Sequence, residues 1–333
     1  MTTFAQNSKQ TSFFTIALAL PIIITQIHIS SPSKSLHFIF YRMAAQVDLR
    51  RCFVQPFTIP IGNYHTEPLF NSNPNSSSTT TATVSPPKFA QKVPKSYWID
   101  NCTGFMGLMP ANVQQILQNE NLYHDEPVTR HASEADVVRS AAMYVLHPVN
   151  QALAVHPNTT SSVTCLAETT ANKLRADITY FRNAAPSNRA FAVVEFKKRQ
   201  LIDPSQFEKA EKVNSARTQA EVIQQAPDLV ARAADNNDDS TFYDLYSCKL
   251  MKQAAAYATQ HRTKYVALFN WGVLVLVKFQ AMELANTAGF MFTPEQLRRK
   301  GVGEWCQTTI IKEQHHMRPA LLGFLAEAYS LTP

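Results

Sequence analysis

The chain has 333 residues, of which 45% are apolar and 17% charged, with a formal net charge of +6 and a pI near 9.0. That apolar content supports one large folded domain or two smaller ones and excludes a disordered or collagen-like chain. Only 8 residues are glycine, and none of the 164 residues between Gly107 and Gly272 is one. This excludes Walker and Rossmann phosphate loops from that stretch, because both need backbone that approaches the phosphate closely and adopts positive φ. The positive charge is concentrated: residues 1–100 carry 8 Lys/Arg against 3 Asp/Glu, the remainder 23 against 22. The pI alone therefore does not mark a nucleic-acid groove.

The chain opens on an apolar run, Ser12 to Ile24, which is too short to span a bilayer and is interrupted by Pro21. Residues 1–42 read as a signal-like or spurious extension ahead of Met43, where an ordinary N-terminus begins. Sequons at Asn75, Asn101 and Asn158 would fit secretion. Against it stand five widely spaced cysteines, Cys52, Cys102, Cys165, Cys248 and Cys306, with no CxxC and no Cys/His pair at zinc spacing. They read as reduced thiols of an intracellular protein of nucleus or cytoplasm. His124, His131, His147, His156, His315 and His316 follow no ligand spacing and read as structural.

Residues 43–94 read as an irregular segment containing a Ser/Thr/Pro-rich linker over 71–87, which cannot order itself around apolar contacts. The folded domain is then expected over 95–333, starting near Lys95. A helix is expected from Glu134, because Ser133 and Asp136 make an Asp version of the capping box. Val138, Ala141 and Val145 recur on one face of it, and Pro148 should end or kink it. Three strands follow, Val163–Thr170, Ala176–Phe181 and Phe191–Lys197, with turns at Ala171-Asn172-Lys173 and Pro186-Ser187-Asn188. Residues 204–234 are helical in composition and end in the polar break Asp235–Ser240, so about 203–241 reads as a helical insertion. A helix from Phe242 to His261 and strands Tyr265–Phe269 and Val273–Phe279 come next, turning at Asn270-Trp271-Gly272. The C-terminal third reads as helical, ending in an apolar helix from Pro319 to Tyr329. The order is αβββ(insertion)αβ, an α/β (α+β) fold with a core over about 130–280.

Asp177 lies on the second strand. On the third, Glu195 and Lys197 are two apart and share a face, while Ala192, Val194 and Phe196 share the other. Such a triplet arises about once by chance at this composition, so its position at the end of an apolar strand carries the signal. Two carboxylates from neighbouring strands suit Mg²⁺, a hard cation preferring oxygen, and a lysine beside them suits an attacking water or a developing charge. On the later helix Lys249, Gln253 and Tyr257 recur at i, i+4, i+8, with Lys252, Arg262 and Lys264 nearby, and this basic face suits phosphate. No GxSxG occurs, which sets aside an α/β-hydrolase.

Together these residues resemble the PD-(D/E)XK nuclease superfamily, the restriction-endonuclease-like fold with its αβββαβ core. Asp177 and Glu195-Phe196-Lys197 are similar to its motif, although Ala176 stands where the motif is named for proline. Gln253-Ala-Ala-Ala-Tyr257 is similar to the QxxxY motif of the RecB-like branch. The resemblance covers about residues 130–280 and implies a nuclease hydrolysing phosphodiesters with Mg²⁺ or Mn²⁺. The metal would be held by Asp177, Glu195, the Phe196 carbonyl and Glu134, the acid on the first helix. Lys197 would activate water, and Gln253 and Tyr257 would brace the site or hold the nucleic-acid backbone. Lys198, Arg199, Lys249 and Lys252 would contact phosphates of a nucleic acid, DNA ahead of RNA, with no nucleotide cofactor. Glu168, on the first strand, is a further acid near the site but reads as a solvated hairpin residue. The alternative is a non-catalytic nucleic-acid- or protein-binding module that keeps the fold.

Overall fold

A computed structural model of the chain describes residues 47–54, 84–122, 133–159, 162–171, 174–183, 188–280 and 303–332. In chain order the elements are β1 (Val47–Asp48), α1 (Arg51–Val54), β2 (Phe89–Lys92), α2 (Lys95–Gly107), α3 (Ala111–Asn119) and β3 (Asn121–Leu122). Then come α4 (Glu134–Ala141), a π-helical turn (Ala142–Leu146), α5 (His147–Val155), β4 (Val163–Ala171), β5 (Leu174–Arg182) and β6 (Arg189–Phe196). The chain continues through α6 (Pro204–Glu208), β7 (Glu211–Val213), α7 (Gln219–Ala234), α8 (Leu245–His261), β8 (Tyr265–Phe269), β9 (Leu274–Phe279), β10 (Trp305–Ile311) and α9 (Gln314–Leu331).

One eight-stranded mixed sheet runs β4-β5-β6-β8-β9-β10-β2-β7. The strands β4, β5 and β6 form an antiparallel meander, as consecutive strands joined by short turns must. The sheet then needs a crossover, because β8 pairs with β6 in parallel, and α8 closes it. Side-chain alternation divides the interior into two cores. Ala192, Val194 and Phe196 of β6 pack with α2, α4, α5 and α9 on one face. Val193 faces the other, with Val266, Leu268 and residues of α6, α7 and α8. The result is a helix–sheet–helix sandwich, and β6, β8 and β9 are apolar nearly throughout because both their faces are covered.

The capping box at Ser133 forms as expected: Ser133 Oγ accepts from the Asp136 N–H and Asp136 Oδ2 accepts from the Ser133 N–H. Pro148 does not end the helical run. The chain passes through the π-helical turn, where the His147 N–H reaches the Ala142 carbonyl, and continues as α5. Pro148 has no N–H to offer the carbonyl four residues back, that of Tyr144, and the buried Arg318 side chain donates to that carbonyl instead. The α-helical deficit is thus met from α9.

Several expectations give way. The sheet reaches ahead of Lys95: β2 lies between β10 and β7, and Leu49, Cys52 and Phe53 are buried in the first core, so residues 43–94 are not irregular throughout. The insertion is not purely helical, since β7 adds to the sheet edge beside β2. It was hidden because three residues, Glu-Lys-Val, are too few to show a period. The C-terminal part contains β10, and its last helix begins at Gln314 rather than Pro319. Residues 1–42, most of the linker, His124, His131, the turn residues 172–173 and 186–187 and residues 281–302 lie outside the described residues. All five cysteines are unpaired. Among the described residues, no helix is long and apolar enough to cross a membrane.

Helices α2 and α9 touch at Gly323, where a Cβ would stand 1.8 Å from the Trp98 carbonyl oxygen. A backbone atom cannot give way as a side chain end does. Gly323→Ala should therefore cost about 3 kcal/mol in denaturant unfolding, at the upper end of overpacking penalties.

Candidate active site

The antiparallel register sets three acids in a row across the meander. Ile178 pairs with Val194, which brings Asp177 opposite Glu195. Ala167 pairs with Ile178 and Thr169 with Ala176, which brings Glu168 opposite Asp177. Glu168 has φ 52°, and its exposed side chain stands 3.8 Å from Arg175, as befits the solvated residue expected there. Asp177 is fixed by the Phe196 N–H, which donates to its Oδ2 at 2.8 Å.

Glu195 is the most constrained of the three, with 4% of its surface exposed. Its Oε1 accepts from Lys197 Nζ at 2.6 Å, Gln253 Nε2 at 2.9 Å and Tyr257 OH at 3.0 Å. Its Oε2 is buried and has no hydrogen-bond partner. Lys197 lies one residue past β6, buried, and its backbone N–H extends the pairing to the Phe269 carbonyl at 2.8 Å. The crossover thereby holds the lysine in place.

Helix α8 approaches the sheet on small side chains, with Ala254, Ala255 and Ala258 fully buried beside Met251. This turns Gln253 and Tyr257 towards Glu195. Tyr257 OH accepts from Gln253 Nε2 at 2.7 Å and lies 3.0 Å from both Glu195 Oε1 and the Arg175 carbonyl. Gln253 and Tyr257 therefore brace the carboxylate within the protein. Lys249, one turn earlier, is exposed. Lys252, expected to meet phosphate, pairs with Asp239 in the polar break after α7. Lys198 and Arg199 follow Lys197 and are partly exposed.

Glu134, the first residue of α4, comes to the same place: its carboxyl meets the Lys198 backbone N–H and is coupled electrostatically to Lys197 and Asp177. Burial raises its pKa, with Lys197 opposing. Burial likewise raises that of Asp177 against the Phe196 N–H and Lys197. Glu195 is pushed up to about 7, first by burial and further by Asp177, with Lys197 and the Tyr257 hydroxyl pulling the other way. Burial, and then the adjoining Glu195, raise the Tyr257 hydroxyl.

Three carboxyls and one lysine thus gather at the ends of β5, β6 and α4. The donor set suits a hard divalent cation, and the orphaned Glu195 Oε2 is an oxygen such a cation would satisfy. Among the described residues, however, no three His, Cys, Asp or Glu side chains already stand as a metal-holding group. One residue was passed over in the sequence: Arg175, two before Asp177, whose carbonyl joins the Tyr257 network. The strand period of two was the available signal. Among the described histidines, His156 is structural, stacked on Phe105 and bonded to its carbonyl.

No family model matches this chain, no curated protein matches it, and no solved structure matches it.

The elevated Glu195 pKa fixes a sign. Between pH 4.5 and about 7 the folded protein keeps a proton that an unfolded glutamate has lost. Stability from this group is present in full below pH 4.5 and is lost as pH rises through 7, a fall of about 3 kcal/mol without metal. Glu195→Gln cannot ionise, so its unfolding free energy should fall less than wild type's between pH 5 and 8. Parallel profiles for the two proteins would show that the group is not shifted.

Proposed function

We propose that this chain is a metal-dependent nuclease of the PD-(D/E)XK kind, of the RecB-like branch. The observation that carries the reading is the orphaned, buried Glu195 Oε2 amid Asp177, Glu134 and Lys197. An apolar strand would not bury a carboxylate oxygen without a partner for structural reasons alone. The path of the chain supports it as well: a helix, an antiparallel meander, a crossover helix and a strand parallel to the third, with the acids on the second and third strands.

In this reading Asp177 and Glu195 hold the cation, joined by Glu134 and the Phe196 carbonyl. Few protein ligands are needed, because Mg²⁺ commonly sits on one or two carboxylates and completes its shell with water and substrate phosphate. When bound, Mg²⁺ or Mn²⁺ supplies charge neutralisation and polarisation of the phosphodiester. Asp177 is pre-aimed by the Phe196 N–H, and Glu195 by its three donors. Lys197 Nζ, fixed on Glu195 Oε1, stands where it can orient an attacking water. Gln253 and Tyr257 keep Glu195 Oε1 occupied, so its second oxygen is the one presented. Lys198, Arg199 and Lys249 are the remaining candidate contacts to nucleic acid, DNA ahead of RNA.

One observation favours the alternative of a binding module without chemistry: Glu195 Oε1, Lys197, Gln253 and Tyr257 also make a closed network of the sort that merely rigidifies a core. Cleavage decides. Wild type should cut labelled single- or double-stranded DNA with Mg²⁺ or Mn²⁺. Lys197→Ala, Asp177→Asn and Glu195→Gln, each checked for folding, should fall at least about a hundredfold. Mn²⁺ should raise the Tm of wild type and not of Asp177→Asn. If wild type cleaves no DNA or RNA with either metal, the nuclease reading is lost.

A further inference from the structure

Three carboxyls that attract a cation repel a phosphodiester, so the site needs a positive group for the substrate's own charge. Two nearby lysines are committed elsewhere: Lys197 is buried on Glu195 Oε1 at 2.6 Å, and Lys252 is paired with Asp239. Arg175 is placed differently. It lies on β5 two residues before Asp177, and its charge acts on both Asp177 and Glu134. Its backbone is tied to the site, since Tyr257 OH lies 3.0 Å from its carbonyl. Its side chain is 62% exposed, and its ion pair, with Glu168 at 3.8 Å, is also exposed. An exposed pair at that separation is weak and cheap to exchange.

We propose that Arg175 is a phosphate-holding residue of this site and that Glu168 is the anion on which it rests when no nucleic acid is bound. The inference builds on the nuclease reading and names a contact that reading does not contain. A guanidinium presents two parallel N–H donors that match two phosphate oxygens, which a lysine cannot do. A backbone phosphate reaching the carboxyls would pass beside Arg175 and displace Glu168, a one-for-one exchange of anions. Glu168 thereby becomes a competitor for the substrate, which fits a side chain that is solvated and opposite Asp177 without bonding to it. Specificity is not asked of Arg175. It holds any backbone phosphate, so its contribution is independent of base sequence and sensitive to salt.

The test is fluorescence anisotropy of a short fluorescein-labelled DNA oligonucleotide in Ca²⁺, across a salt series, with the full chain. Arg175→Ala should bind about tenfold more weakly and lower the slope of log K against log salt by about one. Arg175→Lys should recover only part of the affinity, and Glu168→Gln should bind about threefold more tightly. The Tm of Arg175→Ala and its rise with Mn²⁺ should match wild type, which a general disturbance of the carboxyls would not allow. If Arg175→Ala keeps wild-type affinity and slope, or loses the Mn²⁺ response, the inference is overturned while the nuclease reading stands. Unchanged binding by Glu168→Gln overturns the resting-anion part. A wild type that binds no oligonucleotide overturns both.

Discussion

A carboxylate loses most of its hydration when only 4% of it remains exposed, and the loss is tolerable only if the protein returns the lost contacts. At Glu195 the return is lopsided: a lysine, an amide and a phenol all converge on Oε1, and Oε2 receives nothing. The remaining lone pairs can be satisfied by a proton or by a cation, and the raised pKa expresses the first of these. The site's other features serve this asymmetry. Asp177 adds negative charge from the side, favouring protonation, while Lys197 restrains it. Glu195 is thus held close to the point at which it gives up its proton near neutral pH.

The donors to Glu195 owe their positions to distant parts of the chain. Helix α8 is held at its start by the insertion: Gln206 accepts from the Ser247 N–H, Lys209 pairs with Asp244, and Asp239 takes both Lys252 and the Cys248 thiol. Asp244, at the N-cap, makes no side-chain cap bond, so Gln206 from another helix does that work. The insertion is therefore a brace for the helix bearing Gln253 and Tyr257, as well as an addition to the sheet. On the other face, the π-helical turn lets one continuous helix run from Glu134 at the site to α5 on the meander, despite Pro148. Arg318 supplies the bond that proline withholds.

What could be read beforehand was local. The capping box, the three strands of the meander and the pair β8 and β9 showed themselves because each is a run of near neighbours with a clean period and a turn at its end. Asp177, Glu195 and Lys197 were legible for the same reason: they interrupt an apolar strand pattern. Gln253 and Tyr257 were legible as a helical spacing, but their target was not, because only the crossover brings α8 over β6. Lys252 was legible as part of a basic helix face, but its pairing with Asp239 was not, because the loop after α7 brings that partner. Strands β2, β7 and β10 escaped because each pairs with residues far away in sequence. The four residues Phe-Ala-Gln-Lys of β2 carry no signal until Trp305 to Thr308 lie alongside. Arg175 escaped because an exposed arginine on a strand is ordinary until its neighbours are known.

The position of β2 also bears on how the chain is made. It lies between β7, more than a hundred residues later, and β10, more than two hundred residues later. A growing chain holds β2 without its β10 partner until more than two hundred further residues have been made. The meander carrying Asp177 and Glu195, by contrast, can pair soon after it emerges. The half of the sheet that bears the acids can thus assemble first, and the half that completes the sheet waits for β10. In such a chain the costly step of folding is the late closure of long-range pairs, and the exposed edge of β9 is the surface most open to wrong partners in the interval.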